Sequence, residues 1–391
     1  MTTLNADPIA ATALGDSLPA DAAAKRRLDT PSLIAAMLNA GKGISDLIFS
    51  PGRPPQVESH GELTPVPGLP VLQADDTAAI ARDLVGKNDH ALRTLKDQGA
   101  CDLSYSLAER ARFRVNVFRQ RGTFAIVMRV IATRIPSLAD LHLPPSLAET
   151  ASYKNGIVLV TGPTGSGKSS TLAALIDVIN ENRAEHIITI EDPVEFLHLH
   201  KKATIHQREL HSDTPTFALA LRAALRQAPK VILVGEMRDK ETIEIALTAS
   251  ETGHLVFSTL HTIDASKTVE RIIGTFDASE QAGVRTRFAA SFRAIISQRL
   301  VRKNDGSRVA VLEILKSTMR TREYVEKGEA GGHSLIDAMR DGALEGMQCF
   351  DGELERLARE GTISVRTALL YASNAGDLRL QLGDVEDTGA E

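Results

Sequence analysis

The chain has 391 residues, 43% of them apolar and 24% charged, which is the composition of folded globular domains and not of disordered or membrane-embedded chains. Such a length exceeds what one hydrophobic core usually organises, so two domains are expected. A net charge of -5 gives no reason to expect nucleic acid as a partner, and two cysteines, Cys101 and Cys349, supply neither a disulfide framework nor a four-thiolate zinc site.

Residues 1–29 are rich in Ala, Asp and Thr without apolar periodicity, so little burial would offset the entropy of ordering them and a disordered leader is expected. Its start, Met1 to Asp7, lacks the basic flank and apolar stretch of a secretory signal, which points to a cytoplasmic protein. Thr30 and Pro31 offer an N-cap and a first-turn proline, with Leu33, Ile34, Met37 and Leu38 on one helical face. Alternating runs at 113–118 and 124–128 read as strands and 78–85 as a helix, giving an α+β first domain over 30–134. Pro136 and the break at Leu143, Pro144 and Pro145 mark a linker over 135–148.

From 149 onward strand-like runs at 156–162, 186–191, 231–235 and 255–260 alternate with helical stretches at 167–182, 217–226, 240–252 and 265–273. Strands apolar on both faces indicate a mostly parallel sheet between helices, an α/β fold for 149–300. The longest apolar runs are far too short to cross a bilayer, so no membrane insertion is expected. Beyond Asp277 the pattern reads as mainly helical apart from a strand near 308–314, with a helical region over 301–375 and an acidic tail over 376–391.

Gly162, Pro163, Thr164, Gly165, Ser166, Gly167, Lys168 and Ser169 satisfy G-x-x-x-x-G-K-[ST] directly after an apolar strand and at the opening of a helix, where that motif belongs. Glycines let the backbone turn its N–H groups toward phosphate oxygens, and the helix N-terminus adds partial positive charge. Lys168 is expected to neutralise the β- and γ-phosphates of ATP and the Ser169 hydroxyl to ligate Mg²⁺, with Ser170 completing the nucleotide-binding set. The bland alternative is a glycine turn joining strand to helix; by average frequencies the four fixed positions arise by chance in roughly one chain in a hundred of this length.

Two apolar strands end in carboxylates. The run 231–234 passes through Gly235 into Glu236, and 187–190 into Glu191 and Asp192. Parallel strands present their carboxyl ends to the ligand crevice, so both acids are expected there. Glu236 would bind Mg²⁺ through water or polarise the attacking water, and Glu191 supplies the second group that hydrolysis needs. Taken singly, each is more simply a solvated strand end; their order after the glycine loop favours chemistry.

His254 and His261 bracket the strand 255–260 and are candidate sensors of the γ-phosphate or of a neighbouring subunit, set against plain satisfied polar residues. His198, His200, His206 and His211 lack the Cys or acidic spacing of a metal site. Arg110, Arg112, Arg114, Arg119, Arg121 and Arg129 gather in the first domain. They form a solvated face, a nucleic-acid surface with little aromatic interleaving, or a source of arginine fingers in Arg114 and Arg129.

Four blocks, at 162–169, 189–196, 231–239 and 252–262, together resemble the Walker A, Asp box, Walker B and His box of the secretion ATPase superfamily, in that order. Within it the sequence is most similar to the type IV pilus twitching-motility retraction ATPases of the PilT/PilU group, over residues 30 to 375. Met237, in Gly-Glu-Met-Arg-Asp, sides with retraction members, and two cysteines cannot make the tetracysteine module of assembly and secretion members. Departures are Ala228-Pro229-Lys230 where acidic residues are common, Ile263 where Asn is common, and a loose match at 319–328 to the C-terminal helix motif. The resemblance implies a PAS-like N-terminal domain, a RecA-like P-loop ATPase domain, a homohexamer, and nucleotide between the domains. It further implies Arg114 and Arg129 approaching that nucleotide, Glu191 and Glu236 in hydrolysis, and an inner-membrane pilus platform protein as partner at the pilus base. The alternatives are a pilus-assembly or type II secretion ATPase of the same fold, a nucleotide-dependent binding module without hydrolysis, and a nucleic-acid translocase.

Overall fold

The computed structural model describes residues 29–108, 110–131, 134–329 and 334–385, which fall into two compact units separated between residues 133 and 134. Apart from Asp29, the leader expected over 1–29 lies outside the described residues. The first unit opens with α1 (Thr30–Leu38), whose cap is Asp29 rather than the expected Thr30. The Asp29 carboxylate accepts from Ser32 N at 3.0 Å, a charge well placed at a positive helix end, while Thr30 turns inward and donates to Asp83 at 2.7 Å. There follow β1 (Ile44–Phe49), β2 (Gln56–Ser59), β3 (Glu62–Pro65), α2 (Ala74–Val85), α3 (Asp89–Gln98), β4 (Ala100–Leu107), β5 (Ala111–Gln120) and β6 (Thr123–Ile131). The strands form one antiparallel sheet in the order β3-β2-β1-β6-β5-β4. Its alternation buries Phe113, Val115 and Val117 in one core with Ile80 and Leu84 of α2 and Leu95 of α3, and turns Arg112 and Arg114 to the other face.

The second unit begins with a 3₁₀ turn (Pro145–Ser152) and continues through β7 (Gly156–Thr161), α4 (Lys168–Asn182), β8 (His186–Glu191), β9 (Thr204–Glu209), α5 (Phe217–Ala224), β10 (Val231–Val234), α6 (Lys240–Glu251), β11 (Leu255–Leu260), α7 (Ala265–Gly274), α8 (Gln281–Ser291), β12 (Phe292–Arg302) and β13 (Arg308–Lys316). Helices α9 (Met319–Lys327), α10 (Leu335–Asp341), α11 (Phe350–Arg359), α12 (Val365–Tyr371) and α13 (Ala375–Gln381) complete it. Seven strands run in the order β13-β12-β7-β11-β10-β8-β9, all parallel except β13. Every residue of β7, β10 and β11 is buried, with an apolar layer on each side of the sheet, so the mixed α/β organisation is as expected. Leu138 and Leu143, from the expected linker, belong to one of these layers.

Two expectations fail. The stretch read as helical beyond Asp277 contains α8, but then the eleven-residue β12, which lies beside β7. Its apolar run Ala294, Ile295 and Ile296 carries no period-2 signal because it is covered on both faces, and burial between β7 and β13 decides its conformation. The expected acidic tail includes α13, because Leu378 and Leu382 are buried in a cluster with Phe350 and Leu354. Among the described residues no helix is long and apolar enough to cross a membrane.

Candidate active site

The parallel register brings four chain exits to one edge of the second sheet. Leu260 lies opposite Thr161, Ser258 opposite Val234, and Val234 opposite Ile190. The residues that follow, Gly162, His261, Gly235 with Glu236, and Glu191, therefore emerge side by side, the expected place for a ligand crevice. Gly235 N donates to Ile190 O at 2.7 Å, and Thr259 Oγ1 donates to Gly235 O at 2.7 Å. A Cβ on Gly235 would come within 3.2 Å of the Ile190 oxygen, a tight fit that the strands could take only by giving a few tenths of an ångström.

The loop after β7 is bent by glycines at φ +143° (Gly162), +80° (Gly165) and +91° (Gly167), values costly to any residue with a Cβ. Gly167 occupies the N-cap of α4, no side chain caps that helix, and its first turn holds no acid. Its N–H groups and dipole thus remain for an anion. Lys168 is buried, and its Nζ donates to the carbonyls of Gly162 at 2.9 Å and Pro163 at 3.1 Å. Desolvation holds this ammonium below the usual lysine value, with the charge of Glu236 opposing the shift. Ser166 Oγ is buried without a hydrogen-bond partner, whereas Ser169 is exposed and Ser170 half-buried on the first turn. A bent backbone rich in open donors, an uncapped helix start and one lysine are chemically suited to a polyphosphate. The Ser169 hydroxyl and the Glu236 carboxylate are oxygen donors of the kind that Mg²⁺ takes.

Glu236 Oε2 lies 2.5 Å from Arg238 Nε and 3.5 Å from His261 Nε2, with only 14% of the side chain exposed. Lys168, Glu236 and His261 thus share one neighbourhood. Glu191 is held separately. Its Oε1 accepts from Thr189 Oγ1 at 2.6 Å and Gln207 Nε2 at 3.1 Å, and its Oε2 from Glu195 N at 3.4 Å. Desolvation nevertheless pushes its carboxyl above the ordinary glutamate value, which suits a group that takes a proton during turnover.

His254 lies apart from the other candidates. It precedes β11 while His261 follows it, so the six-residue strand puts the two about 20 Å apart, with His254 at the edge opposite the glycine loop. Its Nδ1 donates to Ala249 O at 2.9 Å, closing the end of α6, and its carbonyl accepts from Gly156 N at 3.0 Å. A histidine so placed has no reach to this unit's own cradle. In the first unit, Arg114 and Arg129 face each other across β5 and β6, and Arg129 Nε pairs with Asp46 on β1 at 2.9 Å.

One residue of the cradle escapes sequence reasoning. Gln298, on β12, is buried; its Nε2 donates to Ser166 O at 2.6 Å and its Oε1 accepts from Thr171 Oγ1 at 2.8 Å. It holds the glycine loop to α4 from beneath. A Cβ on Gly167 would stand 2.8 Å from Gln298 Nε2, so loop glycine and glutamine are mutually fitted. The available signal was a Gln beside a Ser in an apolar run, legible only once that run is known to be a strand.

A lysine at an uncapped helix start, reached through a glycine bend from a buried parallel strand, is the chemistry of P-loop nucleotide-binding proteins. The family model for type II/IV secretion system proteins matches residues 76–360, and the chain belongs to that family. It is 41% identical over 341 residues to the "Type IV pilus retractation ATPase PilT" of Pseudomonas aeruginosa, covering 87% of this chain and 97% of the relative. A twitching motility protein of Neisseria gonorrhoeae is 44% identical over 322 residues, covering 82% and 85%. The crystal structure of the pilus retraction motor PilT with bound ADP matches with a TM-score of 0.79 and 38% identity over 90% of this chain and 98% of that one. The resemblance carried by the four sequence blocks is borne out.

Proposed function

We propose that this protein is an ATPase that assembles as a homohexamer and converts ATP hydrolysis into the mechanical work of type IV pilus retraction. The observation that carries the reading is the meeting of Lys168, Glu236 and His261 at the carboxyl edge of a parallel sheet, in a chain 41% identical to a pilus retraction ATPase. In this reading the second unit is RecA-like over 149–300, the first PAS-like over 30–134, and Arg114 and Arg129 keep the role the resemblance gives them. Lys168 leaves its loop carbonyls for the β- and γ-phosphates. Glu236 and Ser169 would hold Mg²⁺, which when bound would neutralise charge on the phosphates. Glu191 orients the attacking water, and His261 reads the γ-phosphate through Glu236. Contacts made only with triphosphate clamp the subunit, and their loss after cleavage releases it, the kind of two-state element a motor needs. The working place is the cytoplasmic face of the inner membrane, on a pilus platform protein.

Purified Lys168→Ala should release phosphate at about a thousandth of the wild-type rate; near-normal release would overturn the site. Deletion of the protein in its host should raise the number of surface pili, and loss of pili would overturn retraction in favour of assembly.

A further inference from the structure

Glu313, on β13, is 3% exposed and forms no part of the cradle. Its Oε1 accepts from Ala265 N at 2.7 Å. Ala265 opens α7, four residues beyond His261. On its other side Glu313 lies opposite Ser297 in the β12–β13 register, close enough for that hydroxyl to favour the charged carboxyl. Ser297 Oγ in turn accepts from Thr161 Oγ1 at 3.1 Å, and Thr161 is the residue before Gly162. Thr161, Ser297 and Ala265 are all fully buried. A buried series of polar side chains, Glu313, Ser297 and Thr161, the first two paired across β12 and β13, therefore leads inside the apolar sheet from the stretch after His261 to the strand that delivers the glycine loop. The stretch between is itself tied to the start of α7: Asp264 Oδ1 accepts from Lys267 N at 2.6 Å, and the hydroxyls of Thr262 and Thr268 are 2.6 Å apart.

We propose that Glu313 is a positioning residue: its carboxylate fixes the His261 stretch against the P-loop strand, so that occupancy of the loop is felt at His261. This rests on the ATPase reading above. Two charged groups bear on the carboxyl besides its hydrogen-bond donors. Asp264 repels it and Arg299 attracts it, the latter stacked on Phe350 at 3.7 Å and donating to Tyr371 O at 2.5 Å. Burial outweighs the attractive contacts and pushes the carboxyl up to about 7. A charged acceptor grips the Ala265 N–H more tightly than a protonated one, so the tie tightens as pH rises through that value.

The test compares wild type, Glu313→Gln and Glu313→Ala. Glutamine keeps the shape and an acceptor for Ala265 N–H but cannot ionise. Turnover of E313Q should match wild type at pH 6 and fall about fivefold below it at pH 8, since the charge roughly doubles the strength of such a bond. E313A should lose about tenfold in kcat while its dissociation constant for ADP stays within about threefold, because the loop's own contacts remain. A purely structural role would lower thermal stability without that split. Independently of turnover, ADP should slow amide exchange over residues 262–268 in wild type and E313Q but not in E313A. Retained protection in E313A, or a pH-independent ratio of wild-type to E313Q rates, overturns the proposal. Wild type that binds ADP with this protection yet releases no phosphate would instead count against the ATPase reading alone.

Discussion

At the carboxyl edge of the second unit's sheet the chain leaves donors open: a glycine loop at positive φ, an uncapped helix start, a lysine held below its usual pKa. At the amino edge the polar groups are closed on one another. There His254 seals α6 onto Ala249, and Arg293 donates to Asn155 Oδ1 at 2.8 Å and to the carbonyl of Ala290 at 3.0 Å. The strands are the same in both places, so composition does not make the difference. Strand polarity does, because α4, α6 and α7 all start after carboxyl ends and bring their positive termini there. One edge can therefore attract anions and the other mainly holds the sheet together.

The largest test of that contrast falls on the acids. Glu236→Gln keeps the shape of the side chain but removes the charge that faces Lys168 and His261, and should lower turnover at least about a hundredfold. Glu191→Gln should fall as far in kcat, with ADP affinity little changed. A Glu191→Gln enzyme within twofold of wild type would reduce that carboxyl to a strand-end contact of Thr189 and Gln207. A smaller effect belongs to Gln298→Leu, which strips the partner from Ser166 O and Thr171 Oγ1 in a buried place. Leaving such groups unpaired costs about 1–3 kcal/mol each, and with a loosened loop ADP should bind about tenfold more weakly by calorimetry. Unchanged affinity would mean that the loop holds its shape without β12.

What could be read beforehand follows from the same contrast. The glycine loop and the acids at 191 and 236 sit at transitions from an apolar run to a helix or turn, and such transitions are local in sequence. The strands β7, β8, β10 and β11 were legible because flanking Gly, Asp and Pro residues delimit short apolar runs. Strand β12 was not, since it is continuous with α8 and no turn residue announces it. With it went Gln298 and Ser297, whose partners lie 127 to 136 residues away in the chain. Glu313 was hidden likewise, because a lone acid in an apolar strand reads as a solvated position until its neighbours are known. The two histidines looked equivalent, one at each strand end, and only the direction of the strand separates them.

The smallest expected effect is therefore the sharpest one for the contrast between edges. His261→Ala removes a ring 3.5 Å from the Glu236 carboxylate and should lower kcat about tenfold, the scale of one modest transition-state contact. His254→Ala removes the hydrogen bond to Ala249 O and should lower stability by about 1 kcal/mol while leaving turnover within about twofold. Measured together, kcat and the denaturant midpoint should respond in opposite proportion for the two variants. If His254→Ala slowed turnover as much as His261→Ala with no loss of stability, the amino edge would carry chemistry after all. A neighbouring subunit would then have to supply the nucleotide, because within its own subunit that imidazole stands a full strand length from the loop.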